Sequence, residues 1–521
     1  MKKLFPLAIA ALLAGASVLF YSFVVMRMPL ALPEVIKVDG GSISGVKNTA
    51  GDITSFKGIP FAAPPVGDLR WKAPQPVKAW SGVKKCNAFG PCPVQGKPVP
   101  FGVYTKEFLI PGEPISEDCL YLNVWTKNNL AAKKPVFVWI YGGGFVSGGT
   151  GVPIYDGEAM AKKGIVFVSI NYRVGVFGFL AHPELTKESP EKASGNYALL
   201  DQIAALKWVK KNIAKFGGDP GNVTIAGQSA GSMSVNALVA SPVTKGLFNK
   251  AIAESGSLMV ANPAIKSKTL HDAEEEGLKL ASTLHAKSIA DLRKISAADL
   301  QKAPGGYSPI IDGYVLPESI AQLFAEKKNN HVPLLIGWNA DEGFTGAILK
   351  KDAFIKMAHD KYGKEADEFL KYFPAGTDEE AAYSQLKISR DMIFAMSGYK
   401  WATLQASRNE PVYVYFFKHK LPATPDFEKY GAFHTGEVAY IMDDLKFLNR
   451  PWKAEDQPLA NQMSAYWANF IKTSNPNGAG LPEWPKYNNT DHQAMVFGDK
   501  AMKNRLPDKE EYEFMMKQAE K

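Results

Sequence analysis

The chain has 521 residues, of which 46% are hydrophobic and 21% charged, and its formal net charge is +8. This composition excludes a disordered or fibrous chain and allows a large buried core. The lysines that carry most of the charge are scattered and form no basic block interleaved with aromatic residues. We therefore expect a solvated surface and no nucleic-acid partner.

The chain begins with an apolar run that is typical of an export segment. Residues 4–26 carry no charge and lie between Lys2-Lys3 and Arg27. The run predicts a signal peptide with a small-residue cleavage site at 14–16, and it is also long enough for an uncleaved membrane anchor, which we favour. We expect residues 1–30 to be this signal or anchor. The body of the protein would then be periplasmic or secreted, or held at the inner membrane by this segment.

Three cysteines bear on the redox state and on metal binding: Cys86, Cys92 and Cys119. An oxidising compartment allows one disulfide and leaves a third thiol. Their spacing fits no zinc site, and the chain has no His-Glu-x-x-His run. We expect no metal and no cofactor.

From residue 40 onwards, apolar runs alternate with segments of helical periodicity. Short strands are predicted at 40–46 and 56–61, and the Pro- and Gly-rich residues 72–118 predict a long surface loop. Apolar runs that predict strands buried on both faces occur at 135–141 and 165–172, and further strands are predicted at 222–226, 250–254, 332–338 and 412–417. Helical spacing predicts helices at 196–216 and 463–472.

This alternation predicts an α/β fold with a large, mostly parallel central sheet flanked by helices. Two Lys/Glu-rich stretches, 263–305 and 346–406, are largely helical in pattern. They predict helical insertions that form a cap over the sheet.

The run Gly-Gln-Ser-Ala-Gly at 227–231 follows one of these strands directly and fits the pattern Gly-x-Ser-x-Gly. In a sharp turn from strand to helix, side chains two residues either side of the serine would collide, which explains the glycines. The turn exposes the Ser229 hydroxyl and places the Ala230 N–H at a helix N-terminus, where it can stabilise an oxyanion. A chance match is the alternative, and the preceding apolar strand favours catalysis.

Three glycines at 142–144 follow another apolar strand. In α/β-hydrolases a loop of this kind supplies N–H groups to the oxyanion hole. A dinucleotide-binding turn would need Gly-x-Gly-x-x-Gly, which the glycines between 142 and 151 do not give. A plain flexible loop is the other alternative, and the serine predicted in the same sheet argues against it.

A serine nucleophile needs a histidine to accept its proton and a carboxylate to orient that histidine. In this fold the chain order is serine, acid, histidine. His434, in a segment of small residues, is the best-placed histidine after the serine, whereas His182 precedes the serine and is interpreted as structural. Asp341 and Glu342 both follow an apolar strand, and their spacing alone does not choose between them.

Further motifs occur in order along nearly the whole chain after the export segment. They are Phe-Lys-Gly-Ile-Pro-Phe-Ala at 56–62, Ser-Glu-Asp-Cys-Leu-Tyr-Leu-Asn at 116–123, Trp-Ile-Tyr-Gly-Gly-Gly-Phe at 139–145, Asn-Tyr-Arg at 171–173 and Phe-Gly-Gly-Asp-Pro at 216–220. With the serine motif they resemble the type-B carboxylesterase/lipase family, which includes the cholinesterases. The resemblance covers about residues 40–487 and implies one α/β-hydrolase carboxylesterase domain over residues 36–519.

The resemblance also implies roles for individual residues. Ser229 would be the nucleophile, Glu342 the acid and His434 the base of a catalytic triad. The oxyanion hole would consist of the N–H groups of Gly143, Gly144 and Ala230. The implied side-chain pairings are two ion pairs, Arg70–Glu117 and Arg173–Asp201, and a disulfide between Cys92 and Cys119 that leaves Cys86 unpaired.

The sequence departs from the family pattern around the predicted site. Gln228 stands where family members often have glutamate, so a cationic substrate would be stabilised less. The loop between Cys92 and Cys119 has no tryptophan, whereas cholinesterases use one there to hold choline. Gly305 and Gly306 stand in place of the paired phenylalanines that narrow a cholinesterase acyl pocket. We expect bulkier acyl groups and no choline esters.

The sequence thus predicts a serine carboxylesterase that acts on small-molecule esters through an acyl-enzyme. The main alternative is a catalytically inactive adhesion or binding homologue of the same fold, such as the neuroligins, and an intact Ser229, Glu342 and His434 argue against it. A specialised amidase, polyester esterase or toxin esterase would share the mechanism. The sequence does not distinguish these by substrate.

Overall fold

A computed structural model of the chain describes residues 31–519, apart from 131–132, 262–264, 266, 345 and 426. The predicted export segment at 1–30 lies outside these described residues. Within them, no helix combines the length and the apolar character that crossing a membrane requires.

A mixed sheet of eleven strands lies at the centre of the described structure, and three further strands form a small second sheet. The strands are β1 Val35–Val38, β2 Gly41–Ser44, β3 Val46–Lys47, β4 Ile53–Pro60, β5 Val83–Lys85, β6 Tyr121–Lys127, β7 Lys134–Ile140, β8 Val166–Ile170, β9 Gly218–Gln228, β10 Lys250–Glu254, β11 Leu334–Asn339, β12 Val412–Phe417, β13 Gln493–Phe497 and β14 Ala501–Arg505. The order in the large sheet is β14-β13-β12-β11-β10-β9-β7-β8-β6-β4-β3, and the order in the small sheet is β1-β2-β5.

Strands β8, β7, β9, β10, β11, β12 and β13 run parallel to one another, and antiparallel strands flank them at both ends of the sheet. Every residue of β8, β10, β11 and β12 is buried. Continuous burial explains why these strands are mostly apolar, since helices cover both faces of a parallel sheet. The predicted mostly parallel α/β architecture is confirmed.

Sixteen α-helices lie among the described residues. They are α1 Glu158–Lys162, α2 Gly175–Phe179, α3 Pro183–Glu188, α4 Tyr197–Asn212, α5 Ala230–Ala240, α6 Leu270–Thr283, α7 Ile289–Lys294, α8 Ala297–Leu300, α9 Ile320–Ala325, α10 Lys351–Tyr362, α11 Ala366–Tyr372, α12 Asp378–Arg390, α13 Met396–Ala406, α14 Val438–Met442, α15 Asp456–Thr473 and α16 Lys509–Ala519. A single π-helical turn, Asp391–Ala395, joins α12 to α13. Helices α6–α8 and α10–α13 fill the two stretches that were predicted to be helical.

The sequence pattern did not predict β6, which reads Tyr-Leu-Asn-Val-Trp-Thr-Lys. Its Asn123 is almost fully buried. The Asn123 side chain accepts a hydrogen bond from Gly58 N at 2.8 Å and donates to Ser169 Oγ at 3.0 Å. Both partners lie on other strands, so the hydrogen bonds of this buried side chain are formed only in the folded sheet. In the sequence, the polar residue interrupts the apolar run, and the strand was therefore not predicted.

The predicted Cys92–Cys119 disulfide is not formed, and this prediction is corrected. All three cysteines have free thiols and are buried. Burial raises the pKa of the Cys86 and Cys92 thiols to about 11, and it raises the pKa of the Cys119 thiol well above its usual value. Since the thiolate is the reactive form, burial keeps these side chains unreactive and packed like small apolar groups.

The two ion pairs that the resemblance implied are present. Arg70 contacts Glu117 at 2.6 Å, and Arg173 contacts Asp201 at 2.7 Å. His182, interpreted as structural, accepts a hydrogen bond from Glu184 N through Nδ1 and caps the N-terminus of α3.

Candidate active site

Ser229 forms the whole connection between β9 and α5. Its φ of 59° and ψ of −127° lie in a strained region for a residue with a β-carbon. The Ser229 N–H donates to Glu254 O at 2.8 Å, and the Ser229 carbonyl accepts from Met233 N at 2.9 Å. These two bonds hold the strained residue between a strand and a helix. Ser229 is partly exposed, whereas its neighbours Gln228 and Ala230 are buried.

The glycines on either side of Ser229 are required by close backbone packing. A β-carbon on Gly227 would lie 2.5 Å from the carbonyl carbon of Gly231. A β-carbon on Gly231 would lie 2.0 Å from Ile140 O, at the end of β7. The predicted collision is therefore confirmed, and the structure adds the neighbouring strand as a second obstacle.

The loop at 142–144 follows β7 and lies against Ser229. A β-carbon on Gly142 would be 2.9 Å from Ser229 Cβ. Gly143 and Gly144 have φ values of +114° and +62°, and the Gly143 carbonyl accepts bonds from the N–H groups of Val146 and Ser147. These bonds fix the loop in a conformation that favours glycine.

Three N–H groups near the serine have no acceptor in the described structure. Within the described residues, the N–H groups of Gly143, Gly144 and Ala230 donate to no backbone or side-chain acceptor. Ala230 is the first residue of α5, where a helix leaves its N–H groups without intrahelical partners. Gly143 and Gly144 line the same cavity as Ser229, and Ala230 follows Ser229 directly in the chain.

His434 is held by the carboxylate of Glu342. The distance from His434 Nδ1 to Glu342 Oε2 is 2.8 Å, and Glu342 Oε1 accepts from Asn339 N at 2.9 Å. The side chains are 7% and 0% exposed, so water does not compete for this bond. Asp341 instead accepts a bond from Ala432 N at 2.8 Å. The structure therefore places Glu342, and not Asp341, against the histidine.

Two aromatic rings that the sequence did not predict also position His434. Phe394 stacks on the imidazole at 4.4 Å between ring centres, with an interplanar angle of 18°. Phe344 contacts its edge at 5.5 Å. Phe394 lies in the predicted helical stretch 346–406, and Phe344 lies two residues before it. The helical pattern of that stretch does not indicate a contact with the histidine.

Gln228 contacts the ring of the same histidine. Its Nε2 lies 3.2 Å from His434 Nε2 and 3.4 Å from His434 Nδ1. A group almost equally distant from both nitrogens lies over the ring and not along the in-plane lone pair of Nε2. In the described structure no hydrogen bond joins Ser229 Oγ to His434, and catalytic hydrogen bonds often tighten only when substrate binds.

Two buried carboxyl groups that the sequence analysis missed lie behind the site, although Glu437 stands only three residues after His434. Asn339 Nδ2 donates to Glu437 Oε2 at 2.5 Å, which links Glu437 to the residue that also holds Glu342. Burial and the nearby charge of Glu342 raise the pKa of Glu437 to about 8. Burial and Glu437 likewise raise the pKa of Glu254 well above its usual value.

Ser229 and His434 open into one cavity of about 710 Å³. Its walls are mainly apolar and aromatic, and Lys97 is the one lining residue of the described chain with a fixed charge. Tyr307 lines the region of Gly305, where a β-carbon would lie 2.7 Å from the tyrosine ring. Tyr307 therefore occupies part of the space that the glycines at 305–306 were expected to open.

A model of the carboxylesterase family matches residues 33–515 of the chain. The fumonisin B1 esterase of Sphingopyxis macrogoltabida is 36% identical over 512 residues, which cover 93% of this chain and 91% of that protein. The para-nitrobenzyl esterase of Bacillus subtilis is 34% identical over 503 residues, covering 92% and 97%. Liver carboxylesterase 1 of Oryctolagus cuniculus is 34% identical over 534 residues, covering 92% and 93%. The similarity extends over almost the full length of each pair.

Proposed function

The chain belongs to the carboxylesterase family, has the α/β-hydrolase fold and is a carboxylic ester hydrolase, and we propose that it cleaves esters through a triad of Ser229, His434 and Glu342. The observation that carries this proposal is the 2.8 Å contact between His434 and Glu342 beside a serine on a strained turn, both open to one cavity. The relatives' names describe esterases, which argues against an inactive adhesion homologue.

Acylation begins when a bound ester draws Ser229 Oγ and His434 Nε2 together. Nε2 accepts the serine proton while Oγ attacks the carbonyl carbon. Glu342 stabilises the imidazolium through Nδ1. The carbonyl oxygen becomes an oxyanion that accepts hydrogen bonds from the N–H groups of Gly143, Gly144 and Ala230, each worth about 3–4 kcal/mol in such sites.

The tetrahedral intermediate collapses when its bond to the alcohol oxygen breaks. His434 donates its proton to that oxygen, and the alcohol leaves an acyl group on Ser229. Water then attacks the acyl carbon and gives its proton to His434. A second collapse returns that proton to Ser229 Oγ and releases the carboxylic acid.

The lining of the cavity supports neutral or anionic esters as substrates. No carboxylate lines the described part of the cavity, and Gln228 supplies an uncharged amide beside His434. A cationic alcohol would therefore lose its hydration without gaining a counter-charge. Choline esters are accordingly not proposed as substrates.

Labelling with a fluorophosphonate tests the nucleophile, and turnover of matched aryl esters and anilides separates an esterase from an amidase. We expect stoichiometric labelling of the wild type, ester cleavage far above anilide cleavage, and a loss of kcat of roughly 10⁴- to 10⁶-fold in Ser229→Ala. Ser147→Ala removes another serine hydroxyl that lines the same cavity and should still be labelled. Labelling of Ser229→Ala would place the nucleophile elsewhere.

We further propose that residues 4–26 direct the chain out of the cytoplasm. The support is the uncharged apolar run behind Lys2-Lys3. N-terminal sequencing of the protein from cell fractions tests this. A mature chain that starts near Ser17 would exclude a retained anchor, and an intact start in the cytosolic fraction would exclude export.

A further inference from the structure

Four large apolar side chains surround the opening of the catalytic cavity and face solvent. Val99 is 70% exposed, Phe101 63%, Phe344 54% and Val146 49%. All four also line the cavity that contains Ser229. We call them the mouth residues. Contiguous exposed apolar side chains at the edge of a cleft are a mark of a binding surface.

The mouth residues come from three separate parts of the chain, and the fold brings them to one opening. Val99 and Phe101 lie in the long loop before β6, Val146 follows the glycine loop, and Phe344 follows β11. The exposed apolar surface at the mouth is therefore formed by several segments together, and not by one isolated hydrophobic residue.

An apolar wall continues from the mouth into the cavity. The rings of Phe101 and Tyr104 lie 4.9 Å apart, and those of Tyr104 and Phe108 lie 5.8 Å apart. Another lining residue, Phe344, contacts the His434 ring at 5.5 Å between ring centres. Among the described residues that line the cavity, only Lys97 carries a fixed charge; its side chain is highly exposed, and its Nζ lies 4.0 Å from Glu113 Oε1. Apolar surface thus extends from solvent to the candidate base.

We propose that the mouth residues bind the outer part of a long aliphatic chain of the ester whose carbonyl lies at Ser229. The inference rests on the proposed function and specifies its substrate as a monomeric long-chain ester without a cationic group. A short ester would lie inside the cavity and leave the mouth residues in water, whereas a long chain would cover them. Covering them removes apolar area from water on both the chain and the protein.

Chain-length series test this below the critical micelle concentration of each ester. One series varies the acyl group of p-nitrophenyl esters from two to twelve carbons, and the other varies the alkyl group of acetates. Full burial of a methylene is worth about fourfold in kcat/KM. Because the mouth residues remain partly open, we expect the longer members of at least one series to gain about twofold per methylene.

Substitution at the mouth should remove this gain. In Val99→Ser, Phe101→Ser and their double variant, we expect the ratio of kcat/KM for the longest and shortest esters to fall, by roughly tenfold in the double variant. Val83→Ser is the matched control, because Val83 is also 49% exposed and does not line the cavity. Its ratio should equal that of the wild type. Fluorophosphonate labelling of each variant verifies that its site is folded.

Three results would overturn the inference. They are a flat profile in both series for the wild type, a gain with chain length that survives in the mouth variants, and a rise that begins only above the micelle concentration. The last would indicate binding to aggregated lipid instead of to a single chain. Failure of the proposed function looks different, because the wild type would then neither react with the fluorophosphonate nor hydrolyse the shortest esters.

Discussion

The floor of the cavity, formed by Ser229, His434 and Glu342, differs from its mouth in burial and in how firmly its residues are held. At the floor, His434 and Glu342 are buried and each is held by more than one contact, and strained Ser229 is fixed by backbone bonds on both sides. At the mouth, Val99 and Phe101 are more than half exposed. Bond-making needs fixed geometry, whereas binding an aliphatic chain needs only apolar area. Floor substitutions should therefore change turnover of every ester, and mouth substitutions should change the ranking of esters.

Replacing the candidate acid should have the largest effect among substitutions that keep the serine. In Glu342→Gln we expect kcat for a short ester to fall by about 10³- to 10⁴-fold with little change in KM. The reason is that the carboxylate, which orients the imidazole and stabilises the imidazolium, is lost. Asp341→Asn is the matched control, since its carboxylate binds Ala432 N. We expect it to stay within about tenfold of the wild type. Equal losses in the two variants would contradict the assignment of Glu342.

Replacing a glycine of the serine turn should destabilise the floor. Gly231→Ala would place a β-carbon 2.0 Å from the backbone oxygen of Ile140, where no side-chain movement can relieve the overlap. We expect a loss of about 3 kcal/mol or more in the free energy of unfolding, measured by urea denaturation. Gly112→Ala meets nothing within 4 Å and should change that free energy by less than about 1 kcal/mol.

Gln228→Glu should add charge selectivity to the floor. The new carboxylate beside His434 would favour the imidazolium, so the acid limb of the pH–rate profile moves to higher pH and activity near neutrality falls. It should also raise the preference for a choline ester over its neutral 3,3-dimethylbutyl counterpart by about tenfold. Gln301→Glu adds the same charge to the lining of the same cavity from an exposed position. A comparable shift of the acid limb in that control would argue against a direct Gln228–His434 contact.

Glu437 should make the stability of the floor pH-dependent. The pKa of Glu437 is raised to about 8, so the folded protein keeps a proton that the unfolded chain releases above about pH 4.5. Its contribution to stability is then full below pH 4.5 and is lost as pH rises through 8. In Glu437→Gln we expect a smaller fall in Tm between pH 5 and pH 9 than in the wild type. Exposed Glu379→Gln should leave that fall unchanged, and an unchanged fall in Glu437→Gln would contradict the assignment.

Local patterns in the sequence were enough to predict the central strands and the serine turn. Strands buried on both faces, such as β11 and β12, appear as continuous apolar runs wherever they pair. The glycines at 227 and 231 are needed because a β-carbon at either position would overlap a neighbouring backbone segment. Resemblance to a family supplied the roles of the site residues, and it also supplied a disulfide that the structure does not contain.

Tertiary structure alone decided the contacts between distant segments. Asp341 and Glu342 are adjacent in the sequence, and only the fold directs one of them to a histidine 92 residues beyond Glu342. The Gln228 contact spans 206 residues, and the mouth residues converge from three separate segments. Sequence periodicity reports whether a residue is buried within its own strand or helix. It carries no information on which remote side chain lies opposite, because that depends on how all the elements pack together.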